Sequence, residues 1–176
     1  MRSLQRFVLA LALYIALVIN ASLALYLHEF FSLGSSTNLL LSIGIMLIAL
    51  FDDTNKNEIW LALGAGIISD IYFYGIIGIY AVALPTTCWL LQKVARFLPE
   101  VFWARMLVII IAVVGVNAYS WLILKITGVI NVSVLDLLWS VPTTIGWSFL
   151  FACLTYKIWS RLAIKYPFLV NLNNYQ

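Results

Sequence analysis

Six long apolar stretches, each too poor in charge to face water, constrain this chain more than any other feature. They fall at about residues 7–27, 38–51, 59–73, 76–98, 106–124 and 138–158, with charges, Pro, Gly or Asn in the breaks. Only 10% of the 176 residues are charged and 64% are hydrophobic, too little charge to coat a water-soluble domain of this size. The mean hydropathy is +1.04. The bilayer is then the solvent, and spanning segments must satisfy their own backbone hydrogen bonds as helices or closed barrels. A barrel would show short alternating strands, whereas these runs are long and unbroken. The expected fold is an all-α membrane protein. It is a single polytopic domain over 1–176, a bundle of about six transmembrane helices with short polar loops.

The second and third runs are shorter than the roughly 20 residues a perpendicular span needs. Polar residues shielded by neighbouring helices would have to extend them. The N-terminus resembles a signal peptide in outline, with Arg2 and Arg6 ahead of an apolar stretch and small residues near Asn20, Ala21 and Ser22. The run continues to Leu27, long enough to span, so a retained first helix is the reading adopted. Between 59 and 98 the sequence allows either one long helix or two that turn at Tyr74-Gly75. Charge decides. With six spans and the N-terminus inside, Arg2, Arg6, Lys56, Lys93, Arg96, Arg105, Lys157, Arg161 and Lys165 lie on the cytoplasmic side and only Lys125 lies outside. Both termini are therefore expected in the cytoplasm. Trp60, Trp103, Trp121, Trp139 and Trp159 fall near span ends, as interface anchors do. Trp89 and Trp147 lie deeper and are expected to pack between helices.

Most of the polar punctuation reads as structure. Cys88 and Cys153 sit in apolar runs and read as small buried hydrophobes rather than a disulfide or metal pair. In the loop Asp52-Asp53-Thr54-Asn55-Lys56-Asn57-Glu58 the paired aspartates hint at a metal. The better reading is a capping box, with Asn55 capping the third helix and Glu58 reaching back. The segment 126–137 is expected on the outer interface or against a partner. Pro85-Thr86-Thr87 and Pro142-Thr143-Thr144 look alike by chance. Both prolines are tolerable where neighbouring helices and Thr hydroxyls take up freed carbonyls.

Polar residues at membrane depth are costly and each needs a reason. Asp70 ends the stretch Leu63-Gly64-Ala65-Gly66-Ile67-Ile68-Ser69-Asp70, where Gly66 and Asp70 lie one turn apart on one helix face. One reading makes Asp70 a proton or solute site. The other, favoured because no basic partner is in sight, is a helix-end or loop-closing hydrogen bond. Its donor would be Tyr72, Tyr74 or a downstream backbone N–H. Asn117, in the middle of the fifth span, is expected to pin two helices or line a cavity. His28 and Glu29 read as a solvated helix end, and Gly146 as a close helix contact. No nucleophile elbow, P-loop, zinc motif or catalytic carboxylate pair appears, so an enzyme is disfavoured and no cofactor or metal is expected. The net charge of +3 forms no basic stripe and gives no sign of nucleic acid.

The pattern Gly64-x-Gly66-x-x-x-Asp70, then Gly75, then Gly78-x-Tyr80-Ala81, resembles the signature region of the rod shape-determining protein MreD family. Chain length, six-span plan and short polar loops match as well. The resemblance implies a non-enzymatic membrane component of the bacterial elongation machinery, which builds lateral peptidoglycan and maintains cell shape. The partner it implies is an MreC-like protein with one membrane span. Through that protein it implies an elongation glycosyltransferase and a penicillin-binding transpeptidase, and in some bacteria MreB on the inner face. A single partner helix needs small residues for close approach. Gly64, Gly66, Gly75 and Gly78 and the Ala12/Ala16 face are the candidates, with packing inside the protein's own bundle as the rival use. The alternative function is the substrate-binding membrane subunit of an energy-coupling-factor transporter, an architecture the family is thought to share. Ala12 and Ala16 have the spacing of its docking motif. Convergent polar groups near the outer side would be limited to His28, Glu29, Asp70 and Asn131. A membrane enzyme of lipid metabolism ranks third.

Overall fold

The computed structural model describes residues 7–30, 39–99, 101–129 and 133–168. Regular structure among these residues is entirely helical: α1 (Val8–Phe30), α2 (Leu39–Phe51), α3 (Asn57–Phe73), α4 (Tyr80–Ala95), α5 (Phe102–Ile126) and α6 (Val134–Lys165). Each apolar run corresponds to one helix. The ambiguous stretch from 59 to 98 breaks at residues 74–79, so it forms two helices.

The molecule is organised around α2. Its sequence, LLLSIGIMLIALF, is apolar on every face, and a helix without a polar side has to be buried. Every residue from Leu39 to Leu50 is buried, and α1, α3, α4, α5 and α6 all pack against it. Asn20 of α1 caps its start, accepting a hydrogen bond from the Leu40 N–H at 3.1 Å. Close approach at its centre depends on Gly44. A Cβ there would stand 2.7 Å from Cζ2 of Trp159 on α6 and 3.2 Å from Cδ2 of Leu13 on α1. The Trp159 ring is therefore core, not the interface anchor expected for it.

The outer helices keep apolar side chains exposed, as lipid-facing helices do. Two helical stretches, Phe102–Ile126 and Leu137–Lys165, are long and apolar enough to cross a membrane. Trp60, Trp103 and Trp139 are exposed near helix ends. Lys125 lies over Trp121 at 4.6 Å, and Arg105 lies over Phe51 at 4.6 Å. Near Arg105, Phe51, Phe102 and Tyr156 form an edge-to-face cluster that joins α2, α5 and α6.

Several expectations are corrected. Trp89 is exposed, with the Lys93 ammonium 3.6 Å above its ring, because position 89 falls on the outer face of α4. Cys153 is exposed while Cys88 is buried. Gly146 faces open space and makes no close contact. Ala16 is buried and Ala12 packs against the core, so this pair serves the bundle itself. Helix α6 already begins at Val134, so the proposed interfacial segment 126–137 is partly helical. Arg2, Arg6, Asn131 and the side chains of His28 and Glu29 lie outside the described residues.

Candidate functional site

The glycine and aspartate positions singled out in the sequence meet at the α3–α4 turn. Asp70 is fully buried on the last turns of α3. Its Oδ1 accepts from the Tyr80 N–H at 2.7 Å. Its Oδ2 accepts from the N–H groups of Gly78 at 2.8 Å and Ala81 at 3.0 Å. These donors lie at the start of α4, where helical N–H groups have no intrahelical partner and the helix dipole favours negative charge. Asp70 thus caps α4 from the neighbouring helix. Its backbone carbonyl also accepts from the N–H groups of Tyr74 at 3.0 Å and Gly75 at 2.9 Å, closing α3. Of the donors considered for the carboxylate, the downstream backbone N–H groups are the ones observed.

The glycines divide by role. Gly66 is buried, and a Cβ there would come 2.7 Å from the Tyr80 carbonyl carbon and 2.8 Å from the Ala81 Cα. Those are backbone atoms and cannot swing aside, so Gly66 sets how closely α3 and α4 approach. Gly75 and Gly78 take positive φ values of +67° and +131°, which let the chain reverse within 74–79. Tyr80 is buried and its ring stacks on Tyr74, with centroids 6.0 Å apart. Gly64 differs from Gly66, because a Cβ there meets nothing within 4 Å. It opens on an apolar groove of about 200 Å³ between α1 and α3, walled by Leu13, Tyr14, Leu17, Trp60 and Ile68 and ending at Phe168. A second groove of about 370 Å³ runs between α4 and α5 past Thr87, Ala112 and Gly115.

At the other end of α3 is a polar knot that the capping-box reading only partly foresaw. Asn55 Oδ1 accepts from the Asn57 N–H at 3.1 Å, as a cap does. Glu58 does not reach back to it. Instead it turns inward, 1% exposed, and accepts from Gln92 Nε2 at 3.4 Å. The same amide donates to the Asn55 carbonyl at 3.0 Å, and Asn55 Nδ2 donates to the Phe168 carbonyl at 2.9 Å. The knot therefore ties the α2–α3 loop, α4 and the residues after α6 together. Glu58 closes the polar loop, one residue ahead of the apolar run. Burial first, then the nearby Asp52 carboxylate, pushes its carboxyl up to about 9. As a neutral acid it interacts with Asp52 and needs no donor at Oε1, which has none among the described residues. At the rim Arg96 Nε and Asp53 Oδ2 lie 3.5 Å apart, both exposed, a pair of small energetic weight.

The side chain of Asn117 is partly buried and has no hydrogen-bond partner among the described residues. One turn on, the buried Nε1 of Trp121 is also without a partner among them. No group of three His, Cys, Asp or Glu side chains suited to a metal occurs among the described residues.

The hairpin gives the sequence motif a physical meaning, and the comparison with protein families gives it a relation. The model of the rod shape-determining protein MreD family matches residues 1–165 of the 176-residue chain. The chain belongs to the MreD family. No characterised protein and no solved structure matches it. In this MreD-family chain the residues that carry the resemblance, Gly64 apart, are those that build the α3–α4 clasp. Gly66 sets its spacing, Asp70 its capping, Gly75 and Gly78 its turn. Gln92 and Gly44 escaped sequence reading, and Glu58 was read as a cap. An acidic residue at a helix start reads as a cap, and nothing local shows that it turns inward.

Proposed function

We propose that this MreD-family chain is a non-enzymatic, six-span component of the bacterial machinery that elongates the cell by lateral peptidoglycan synthesis, with both termini cytoplasmic. Its role is to bind a single-span MreC-like protein and through it the elongation glycosyltransferase and penicillin-binding transpeptidase, with MreB as an inner-face partner where present. The family match over residues 1–165, a family described as rod shape-determining, carries this reading. Gly66, Gly75, Gly78 and Asp70 are committed to the hairpin. That leaves Gly64, with open space and no part in the turn, as the uncommitted motif glycine, and the α1–α3 groove as the surface assigned to the partner helix.

The test is recovery of the tagged protein from native membranes in mild detergent. A single-span coiled-coil protein with cell-wall synthases is the expected company, and Gly64→Leu is expected to lose it while the chain stays in the membrane. Recovery of paired ABC ATPases with a coupling membrane subunit would replace this reading with that of a transporter's substrate-binding subunit.

A further inference from the structure

Arg105 carries a charge that no carboxylate answers among the described residues. It is partly buried, and its guanidinium lies over the Phe51 ring with no hydrogen bond or ion pair among them. The carboxylates at that end of α2 are already engaged. Asp53 pairs with Arg96, while Asp52 accepts from Thr54 Oγ1 at 3.0 Å and interacts with Glu58. Phe51 closes α2, and the carbonyl of Asp52 after it accepts from Gln92 Nε2 of α4 at 3.5 Å. Arg105 therefore stands where α2 ends, beside α4 and at the start of α5. A cation at the edge of an apolar bundle calls for an anion.

The α4–α5 groove of about 370 Å³ begins one turn further on. Arg105, Val108, Ala112, Gly115 and Tyr119 follow at spacings of three and four along one face of α5, and the last four line the groove. On α4 the lining runs from Val94, next to Lys93, back to Ala83. Residues 96–101 join the two helices, so Val94 and Val108 mark the same end. That end is cationic: Lys93, Arg96 and Arg105 stand against Glu100, whereas 71–92 and 106–124 hold no charged residue. The lining is apolar but for three hydroxyls, and Thr86 and Thr87 donate theirs to carbonyls of α4 itself. From Val94 to Ala83, and from Val108 to Tyr119, the rise is about 16 Å. One leaflet of hydrocarbon is about 15 Å deep, and a spanning partner helix would cover about 30 Å.

We propose that the α4–α5 groove seats an anionic phospholipid, with its phosphate on Arg105 and one acyl chain between α4 and α5 as far as Tyr119. The arginine fork matches phosphate oxygens, and Lys93 adds a second charge at the mouth. A basic pocket between spans is where lipid headgroups bind, and an apolar groove one leaflet deep fits the chain below such a headgroup. The proposal rests on the membrane-spanning reading but on no protein partner.

Native mass spectrometry of the full chain in mild detergent tests it, with phosphatidylglycerol and phosphatidylethanolamine of matched acyl chains. The expected result is one retained phosphatidylglycerol in preference to phosphatidylethanolamine. Arg105→Gln should reduce that preference about fivefold, the weight of one cation near a membrane surface, and Arg105→Lys should keep most of it. Lys93→Gln, at an exposed position, repeats the charge test should Arg105→Gln fold poorly. Gly115→Leu, whose Cβ meets open space, should lower retention of both lipids, and Thr87→Leu repeats that reading. A preference unchanged by the charge variants, or retention unchanged by the groove variants, would overturn the proposal. So would displacement of the lipid by millimolar inorganic phosphate, which would make Arg105 a site for free anions. A chain that stays in solution without detergent would overturn the spanning reading, and the proposal with it.

Discussion

At Gly66 a single hydrogen atom separates α3 from the backbone of Tyr80 and Ala81. Gly66→Ala is expected to destabilise by about 1–3 kcal/mol, the usual cost of overpacking, and at least that here because the obstructing atoms are backbone. Gly64→Ala, with open space, is expected to be neutral or slightly stabilising through helix propensity. Thermal unfolding in detergent compares the two. Asp70→Ala strands three N–H groups in a buried site and is expected to cost on the order of 3 kcal/mol or more by the same measurement. Glu58 predicts a pH dependence. Its folded carboxyl titrates near 9 against an ordinary 4.5, so the folded state keeps a proton that the unfolded chain releases. Stability should be greatest below about pH 4.5, decline as pH rises towards about 9, and level off above that. Glu58→Gln should flatten this slope. A slope unchanged in the variant would mean that other groups cause it. The sequence showed that a carboxylate at position 70 needs partners. It did not show which, because they lie eight to eleven residues away across a turn.

Among the elements, α2 is the most legible and the least free. Thirteen residues with no polar face dictate burial, and the helix is enclosed along its length. What the pattern hides is where its neighbours fit. Trp159 is 115 positions from Gly44 in sequence, and only packing brings ring and glycine together. Gly44→Ala should destabilise by about 1–3 kcal/mol. Trp159→Phe, which gives up ring volume at the same spot, should recover part of that loss. A double-mutant cycle read by thermal unfolding measures the coupling, and strict additivity would remove the contact from the account. The proline-bearing helices continue without a break, and hydroxyls bond carbonyls in the surrounding turns. Thr86 Oγ1 donates to the Val82 carbonyl at 2.7 Å and Thr87 Oγ1 to that of Ala83 at 2.7 Å, while in α6 Thr144 Oγ1 donates to that of Ser140 at 2.9 Å. The order of the six helices was readable because the apolar runs are long and their breaks distinct. The 74–79 break was settled in the sequence only by the charge balance of the loops.

For the molecule as a whole, the positive-inside rule predicts both ends on one side, with nine basic residues against Lys125. A reporter fused after Gln176 is expected to read cytoplasmic, and an opposite reading would break the six-span arrangement. Composition determined the solvent, the helical class and the approximate bounds of each helix, because burial of apolar runs and backbone self-satisfaction are properties of local sequence. The motif pointed to the family for a similar reason: its glycines and aspartate lie within about twenty residues, inside one hairpin. Tertiary structure alone decided which glycines are filled and which are open, that Ala16 and Trp159 turn inward, and that Glu58 joins Gln92 and Asn55 in a buried knot. Each of these depends on the angle and height at which helices distant in sequence meet. A 3.6-residue period fixes which side chains share a face, and says nothing of what that face will touch.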